Sequence, residues 1–256
     1  MQEVRHLVIE LNKFNDYYFD NKYHCCFKKS DNSKIKISAS KFVSTFTPVF
    51  EKEKIAERVA KKRGISVEEV LKEWDLEAEI SKEKGNCVHE YIESKLNNKK
   101  KVLNNVDLKY QSTLKQVDKF CDIISNKLIP IKLEWLVASE KLNSFALIDC
   151  IFYNVKFNEF QIFDWKTNKK IANDNKFGNK MLHEFSNLDE CELVKYSLQL
   201  SFEKAILSQE LDIPFGKSYI VHFKEDDFDI IPSLDYSSQV LAILSDKERL
   251  KTLKIV

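Results

Sequence analysis

The chain has 256 residues, 43% of them hydrophobic, and its 41 basic and 40 acidic side chains leave a formal net charge of +1. That length buries a sizeable core, in one large domain or two small ones, and the near-neutral balance excludes a general pull on polyanions, so nucleic acid contact requires a local basic groove. No apolar run reaches the roughly 18 residues of a membrane span, no secretion signal opens the chain, and six cysteines lack C-x-x-C spacing, which together predict a soluble cytoplasmic protein with reduced thiols.

Apolar and aromatic runs over 4–27 and 34–46 flank the polar turn Lys28-Lys29-Ser30-Asp31-Asn32-Ser33, which predicts an N-terminal β-hairpin. Ser38-Ala39-Ser40 before Phe42, Val43 and Phe46 is a helix-start signal. A charged helix over 51–63 closes on Gly64. Ser66 and Glu69 form a capping box that opens the next helix, with Val67, Val70, Leu71, Trp74 and Ala78 on one face. This helical region continues into Gly85-Asn86-Cys87-Val88-His89-Glu90-Tyr91-Ile92-Glu93, where Val88, Ile92 and Leu96 form the buried stripe. His89 and Glu93, four residues apart, stack beside that stripe, either as metal or phosphate contacts or as a solvent-facing pair.

A polar loop over 97–105 carries Lys99, Lys100 and Lys101. Tyr110, Leu114, Val117, Cys121, Ile124 and Leu128 mark one face of a long helix stopped by Pro130. A strand over 131–142, with Glu134 near its start, precedes the apolar strand Leu147-Ile148-Asp149-Cys150-Ile151 and, after a turn over 154–159, the strand Phe160-Gln161-Ile162-Phe163-Asp164-Trp165-Lys166-Thr167. The three are expected to form a meander. Side chains alternate along a strand, so Asp164 and Lys166 share one face and Phe163 and Trp165 the other. A hairpin of the last two strands brings Asp149 beside Asp164. Two acids and a lysine at its mouth are either a terminal salt bridge or a site for metal-assisted hydrolysis, since Mg2+ takes oxygen ligands and few of them from protein.

Residues 168–195 lack a period and are long for a connection, which marks a candidate functional loop. Lys169, Lys170, Lys176 and Lys180 with Phe177 among them suit a phosphate backbone and a stacked base, or a solvated charge run. Tyr196, Gln199, Leu200, Phe202, Ala205 and Ile206 open another helix. Strands over 217–224 and 228–231 flank the acidic turn Glu225-Asp226-Asp227, and 236–253 is a terminal helix.

In order, Gly85-x-x-x-His89-x-x-x-Glu93, Leu147-Ile148-Asp149, Asp164-Trp165-Lys166-Thr167 and Tyr196-x-x-Gln199 resemble the four motifs of the PD-(D/E)XK nuclease superfamily in its RecB-like exonuclease branch. Over roughly residues 80–206 the chain is similar to phage-type and mitochondrial genome maintenance exonucleases. The resemblance implies an α/β fold: a restriction-endonuclease-like core, a central mixed β-sheet flanked by helices, with an N-terminal β-hairpin and helical extension. One domain then spans 1–256, with the extension over 1–80 and the catalytic core over 81–256.

The same resemblance implies that His89, Asp149, Asp164 and the backbone carbonyl of Trp165 hold Mg2+ or Mn2+. Lys166 would orient or deprotonate the attacking water, and Gln199 would hold Lys166 or the substrate phosphate. Glu93 and Glu134 would be supporting or second-metal groups. Tyr196, Gln199, Thr167, Lys169, Lys170, Lys176 and Lys180 would contact DNA. Imidazole suits Mn2+ better than Mg2+, so Mn2+ is expected to support the stronger activity.

Ala146 replaces a glycine common before the second-motif Asp, and Glu203 replaces an aromatic common after the fourth-motif Gln. No cysteine follows Cys191, which predicts no iron-sulphur cluster. The expected function is a metal-dependent DNA exonuclease acting on single- or double-stranded ends in recombination, repair or phage DNA processing. Recombination or replication proteins would be its partners, in the cytoplasm of a bacterial or phage-infected cell and away from membranes. A catalytically silent DNA-end-binding module of a larger complex, or a structure-specific endonuclease, is the alternative.

Overall fold

Short antiparallel strands at the N-terminus build a small sheet, and longer apolar strands build a large one; the computed structural model describes residues 10–98 and 105–255. The small sheet has three strands: β1 (Tyr17–Asp20), β2 (Cys25–Lys28) and β3 (Lys34–Ile35). The polar turn at 28–33 connects β2 to β3, as expected. A further turn precedes it, because Asp20 Oδ1 accepts from the backbone N–H of Lys22 at 2.8 Å and of Tyr23 at 3.1 Å, reversing the chain. The expected hairpin is therefore a three-stranded meander. The start of the expected first run and Lys99, Lys100 and Lys101 lie outside the described residues.

The large sheet comprises β4 (Ile37–Ser38), β5 (Leu128–Ser139), β6 (Ser144–Asn154), β7 (Glu159–Lys166), β8 (Tyr219–Phe223) and β9 (Phe228–Pro232). β5, β6 and β7 form the expected antiparallel meander, β7 and β8 are parallel, β8 and β9 antiparallel, and β4 runs parallel to the start of β6. The sheet is thus mixed.

Local signals set the helix ends. Ser38 caps α1 (Ala39–Thr45) by accepting from the Lys41 N–H at 3.1 Å. α2 (Lys52–Arg63) ends on Gly64 at φ 68, the left-handed turn that glycine adopts without steric cost. Ser66 and Glu69 make the reciprocal capping box that opens α3 (Val67–Leu96), a 30-residue helix that continues unbroken through Gly85.

Downstream, the short α4 (Asn105–Lys109) precedes the helix expected from Tyr110, which is α5 (Gln111–Ile124) and ends at Ile124. Leu128 and Pro130 belong instead to β5. Pro130 is tolerated there because β5 pairs only with β6 and its register slips between Pro130 and Lys132, so the missing N–H breaks no continuous ladder. α6 (Glu192–Glu210) carries Tyr196 and Gln199. The expected terminal helix is two, α7 (Ser237–Ser245) and α8 (Lys247–Thr252), because the Asp246 side chain accepts from the Arg249 N–H at 2.9 Å and restarts the helix.

Helices cover both faces of the large sheet. On one, Val88 and Ile92 of α3 and Leu114, Val117 and Phe120 of α5 pack on Phe152, Phe163, Trp165, Val221 and Phe223. On the other, Leu198, Phe202 and Ile206 of α6 pack on Ile148, Ile162 and Ile220, with Phe42 of α1 and Val240 of α7 beside them. The 168–195 segment is partly anchored in this second layer through Met181 and Phe185. Among the described residues no helix is long and apolar enough to cross a membrane.

Candidate metal centre

The β6–β7 ladder pairs Ile151 with Ile162 and Cys150 with Phe163, so the next step sets Asp149 against Asp164, as the hairpin expectation required. There the regular ladder ends. The backbone N–H of Trp165 donates to Asp149 Oδ2 at 2.8 Å, a side chain taking the place of a strand carbonyl. β7 continues beside β8 as far as Lys166 against His222, while β6 is joined at its start by β4 at Ser144 and Phe145. The sheet splits along the intervening edge of β6, and the polar residues gather at the split.

A second irregularity faces the first. β5 pairs Leu133 with Cys150 and Trp135 with Ile148, which leaves Glu134 opposite Asp149. Glu134 has φ 44, a left-handed conformation rare outside glycine and often retained at functional sites. Residues two apart in a regular strand share a face. Here Leu133 and Cys150 pack with the α3–α5 layer, whereas Trp135 and Ile148 pack with the α6 layer. Both strands therefore exchange faces at the Glu134–Asp149 pair.

The exchange brings both carboxylates to His89 of α3. His89 Nδ1 stands 3.4 Å from Glu134 Oε1 and 3.7 Å from Asp149 Oδ1, and one ligand atom from each of the three residues lies within 4.8 Å of the others. Neighbouring ligands about 2.1 Å from an octahedral Mg2+ are about 3 Å apart, so the two His89 contacts are already near that spacing. One imidazole and two carboxylates also suit Mn2+.

Asp164 lies beside this trio and is 2% exposed. Its Oδ1 accepts from Gln199 Nε2 at 2.9 Å, and its Oδ2 lies 2.5 Å from Lys166 Nζ. The second contact is a buried ion pair, so this oxygen already faces a cation, and a metal ion would have to share or displace the Lys166 ammonium to reach it. Thus Glu134, expected as a supporting or second-metal group, sits within the trio, and Asp164, expected as a ligand, adjoins it through Lys166 and Gln199.

The remaining expected residues divide into near and far. Lys166 Nζ is 4.7 Å from the ring centroid of Tyr196, whose hydroxyl accepts from Asn168 Nδ2 at 2.7 Å. A Cβ on Gly85 would stand 3.7 Å from Thr167 Oγ1, so α3 passes close to the end of β7. Glu93 shares with Lys82, His89 and Glu134 the wall of a cavity of about 410 Å³. The Trp165 side chain points away, into the Phe120 and Phe152 cluster, and its main chain is what meets the centre. Lys169 and Lys180 are paired with Glu77 and Asp189, and neither pair involves the centre; Lys170, Lys176 and Phe177 are exposed.

Glu203, noted in the sequence only as a departure from the fourth motif's aromatic, belongs to the site. It is buried and accepts from Gln199 Nε2 at 3.1 Å, so one amide group bridges two carboxyls. Its place four residues after Gln199 on a helix is a signal that could have found it.

Protons accumulate in the centre. Burial opposes charge on His89, but Glu134, Asp149 and Asp164 outweigh it and raise the imidazole to about 9. Burial and then the Asp164 charge push Asp149 up to about 7, against the pull of His89 and Lys166. Burial disfavours charge on Lys166 too, yet Asp164 and Asp149 hold its ammonium above the usual lysine range. Glu203 is driven well above the carboxylate range by burial and by Asp164. A divalent ion would have to displace a proton from His89, coupling metal affinity to pH. No protein-family model matches the chain, and no curated protein matches it.

Proposed function

We propose that this chain is a metal-dependent DNA exonuclease with a restriction-endonuclease-like core of the PD-(D/E)XK type. One observation carries the reading: His89, Glu134 and Asp149, from a helix and two strands distant in sequence, converge within 4.8 Å beside the buried Asp164–Lys166 pair. A phosphodiester is protected by its own negative charge and by a poor alkoxide leaving group, so a site that cleaves it must supply positive charge around phosphorus. Mg2+ or Mn2+, when bound, supplies a Lewis acid and a water of lowered pKa. His89, Glu134 and Asp149 would hold it, beside Asp164, whose Oδ2 is paired with the Lys166 ammonium.

Lys166 places a cation beside the attacked phosphate. Its raised pKa in the metal-free chain suits an orienter of water and phosphate rather than a resting base. Gln199 keeps Asp164 aimed, and the Tyr196 ring backs the ammonium. A silent DNA-end-binding module is the second reading, favoured by the short Asp164–Lys166 contact, which satisfies both charges without an ion.

Incubation of linear and covalently closed circular DNA with Mn2+, each linear end labelled in turn, tests the proposal. Degradation of the linear form with the circle spared supports an exonuclease, and Lys166→Ala should abolish it. A nicked or opened circle supports the endonuclease. Tight end binding with no product in Mg2+ or Mn2+ supports the silent module and sinks the nuclease reading.

A further inference from the structure

Lys166 has a cross-strand neighbour that the four motifs leave out. β7 and β8 run parallel with Lys166 opposite His222, and partners in such a pair point to the same face, so His222 stands beside the ammonium. Ile220, two residues earlier on β8, packs in the α6 layer, which identifies that face. The imidazole is 4% exposed, and its Nε2 lies 2.6 Å from the backbone oxygen of Asn168. A carbonyl only accepts, so Nε2 carries the proton and donates it. Asp229 Oδ2 of β9 stands 3.8 Å from the other ring nitrogen. The ladder between β7 and β8 ends at Lys166 and His222, so the imidazole extends the join by two residues, to the point where the 168–195 segment leaves the sheet.

The side chain of the residue so held returns to the centre. Asn168 Nδ2 donates to the Tyr196 hydroxyl at 2.7 Å, and the Tyr196 ring lies 4.7 Å from Lys166 Nζ. Asn168 is exposed, and an exposed amide exchanges such a bond for water at little net cost, so its grip on Tyr196 depends on how firmly its backbone is fixed. The buried donor of His222 fixes it. Resting on the nuclease reading, we propose that His222 is a positioning residue: by holding the Asn168 carbonyl it keeps the Tyr196 ring over the Lys166 ammonium, and so keeps that ammonium aimed at the phosphate. It touches neither metal nor substrate and acts through Asn168 and Tyr196 in turn.

Each link has its own readout in the metal-free protein, and neither readout needs nuclease activity. Trypsin cleavage after the exposed Lys169 and Lys170 reports whether the root of the segment is held, and acetylation of Lys166 by acetic anhydride, followed by mass spectrometry, reports whether the ammonium is covered. His222→Leu removes the donor, and His222→Gln returns an amide N–H near the position of Nε2. His222→Leu should raise both rates about three- to tenfold, the population shift of one lost hydrogen bond, and His222→Gln should bring them to within about twofold of the parent. Asn168→Ala cuts the path at its second link, so Lys166 acetylation should rise as in His222→Leu while tryptic cleavage stays near the parent. In Mn2+ the single-turnover cleavage rate of His222→Leu should fall by the same factor, with little further loss when it is added to Tyr196→Phe, which already lacks the hydroxyl that Asn168 holds. Should His222→Leu fail to fold, His222→Asn, whose shorter amide cannot reach Asn168, takes its place. Unchanged trypsin and acetylation rates in the folded variant, a His222→Gln no better than His222→Leu, or full additivity with Tyr196→Phe overturns the proposal. If both rates respond as stated and the parent yields no product in Mn2+, the tie from His222 to Lys166 stands and the nuclease reading falls.

Discussion

The two faces of the large sheet are built to opposite ends. Towards α5, Phe120 meets Phe163, Trp165, Phe223 and Phe228 edge-on or tilted, in a layer formed almost wholly of apolar side chains. Towards α6, the same strands bury Asp164 and partly bury Asp149 and Lys166 against Gln199 and Glu203. Removing apolar area from water stabilises the first face. Gathering acids in the second raises their pKa values and opposes folding, which is the condition for cation binding. Both faces bury apolar clusters, and the α6 face adds the buried carboxyls at the split edge of the sheet, where His89 reaches Asp149 from α3.

The strongest way to break this contrast is Phe120→Ala, which empties the centre of the aromatic layer. It should destabilise the protein by about 3–5 kcal/mol in urea unfolding and leave Mn2+ affinity of the folded protein unchanged. An equal loss of metal affinity would mean the two faces are not separable. Asp149→Asn should act in the reverse sense: Mn2+ affinity by titration calorimetry falls about a hundredfold or more, since even supporting partners of metal ligands are worth 10–100-fold. The metal-free melting temperature at pH 8 should rise, because a carboxylate disfavoured by burial and by Asp164 is gone. A lower melting temperature would refute the cost assigned to that face.

The pH dependence sharpens the comparison further. Folded Asp149 titrates near 7 against an ordinary 3.8, and folded His89 near 9 against 6.5, so the native centre binds more protons than the unfolded chain. Their stabilisation is complete below the unfolded values and is lost as pH rises through the folded ones. The metal-free melting temperature should therefore lose the Asp149 contribution between about pH 4 and 7 and the His89 contribution between about pH 6.5 and 9. Asp149→Asn should remove the first part of that slope and His89→Gln the second; a parallel curve in either variant would contradict the assignment.

The smallest effect should come from Glu203→Gln, which keeps an acceptor for Gln199 and replaces a carboxyl that burial already holds neutral. A change below about 1 kcal/mol is expected by thermal unfolding, whereas Glu203→Leu, which strands a buried amide hydrogen, should cost about 1–3 kcal/mol. Equal effects from both would remove Glu203 from the network.

Much of this architecture is legible along the chain, because the groups that decide it are near neighbours. Ser38, Gly64 and the Ser66–Glu69 box end or start helices through hydrogen bonds spanning at most four residues. Alternation on β7 sends Asp164 and Lys166 one way and Trp165 the other, and hairpin register then brings Asp149 to Asp164. Pro130 had no such local sign, since it reads as a helix stop until β6 is present for β5 to pair with. The Asp246 cap of α8 spans only three residues, and is a local signal that the apolar period across 236–253 conceals.

The sequence by itself determined which carboxylates and imidazoles the chain carries, and roughly which helix or strand bears each, because capping and periodicity act over a few residues. Tertiary structure alone decided that Glu134 turns left-handed, that β5 and β6 exchange faces there, and that Glu203 joins Asp164 through Gln199. Those outcomes depend on pairing across long stretches of chain, such as Ile37 with Ser144, where the energy of closing the sheet outweighs local preference.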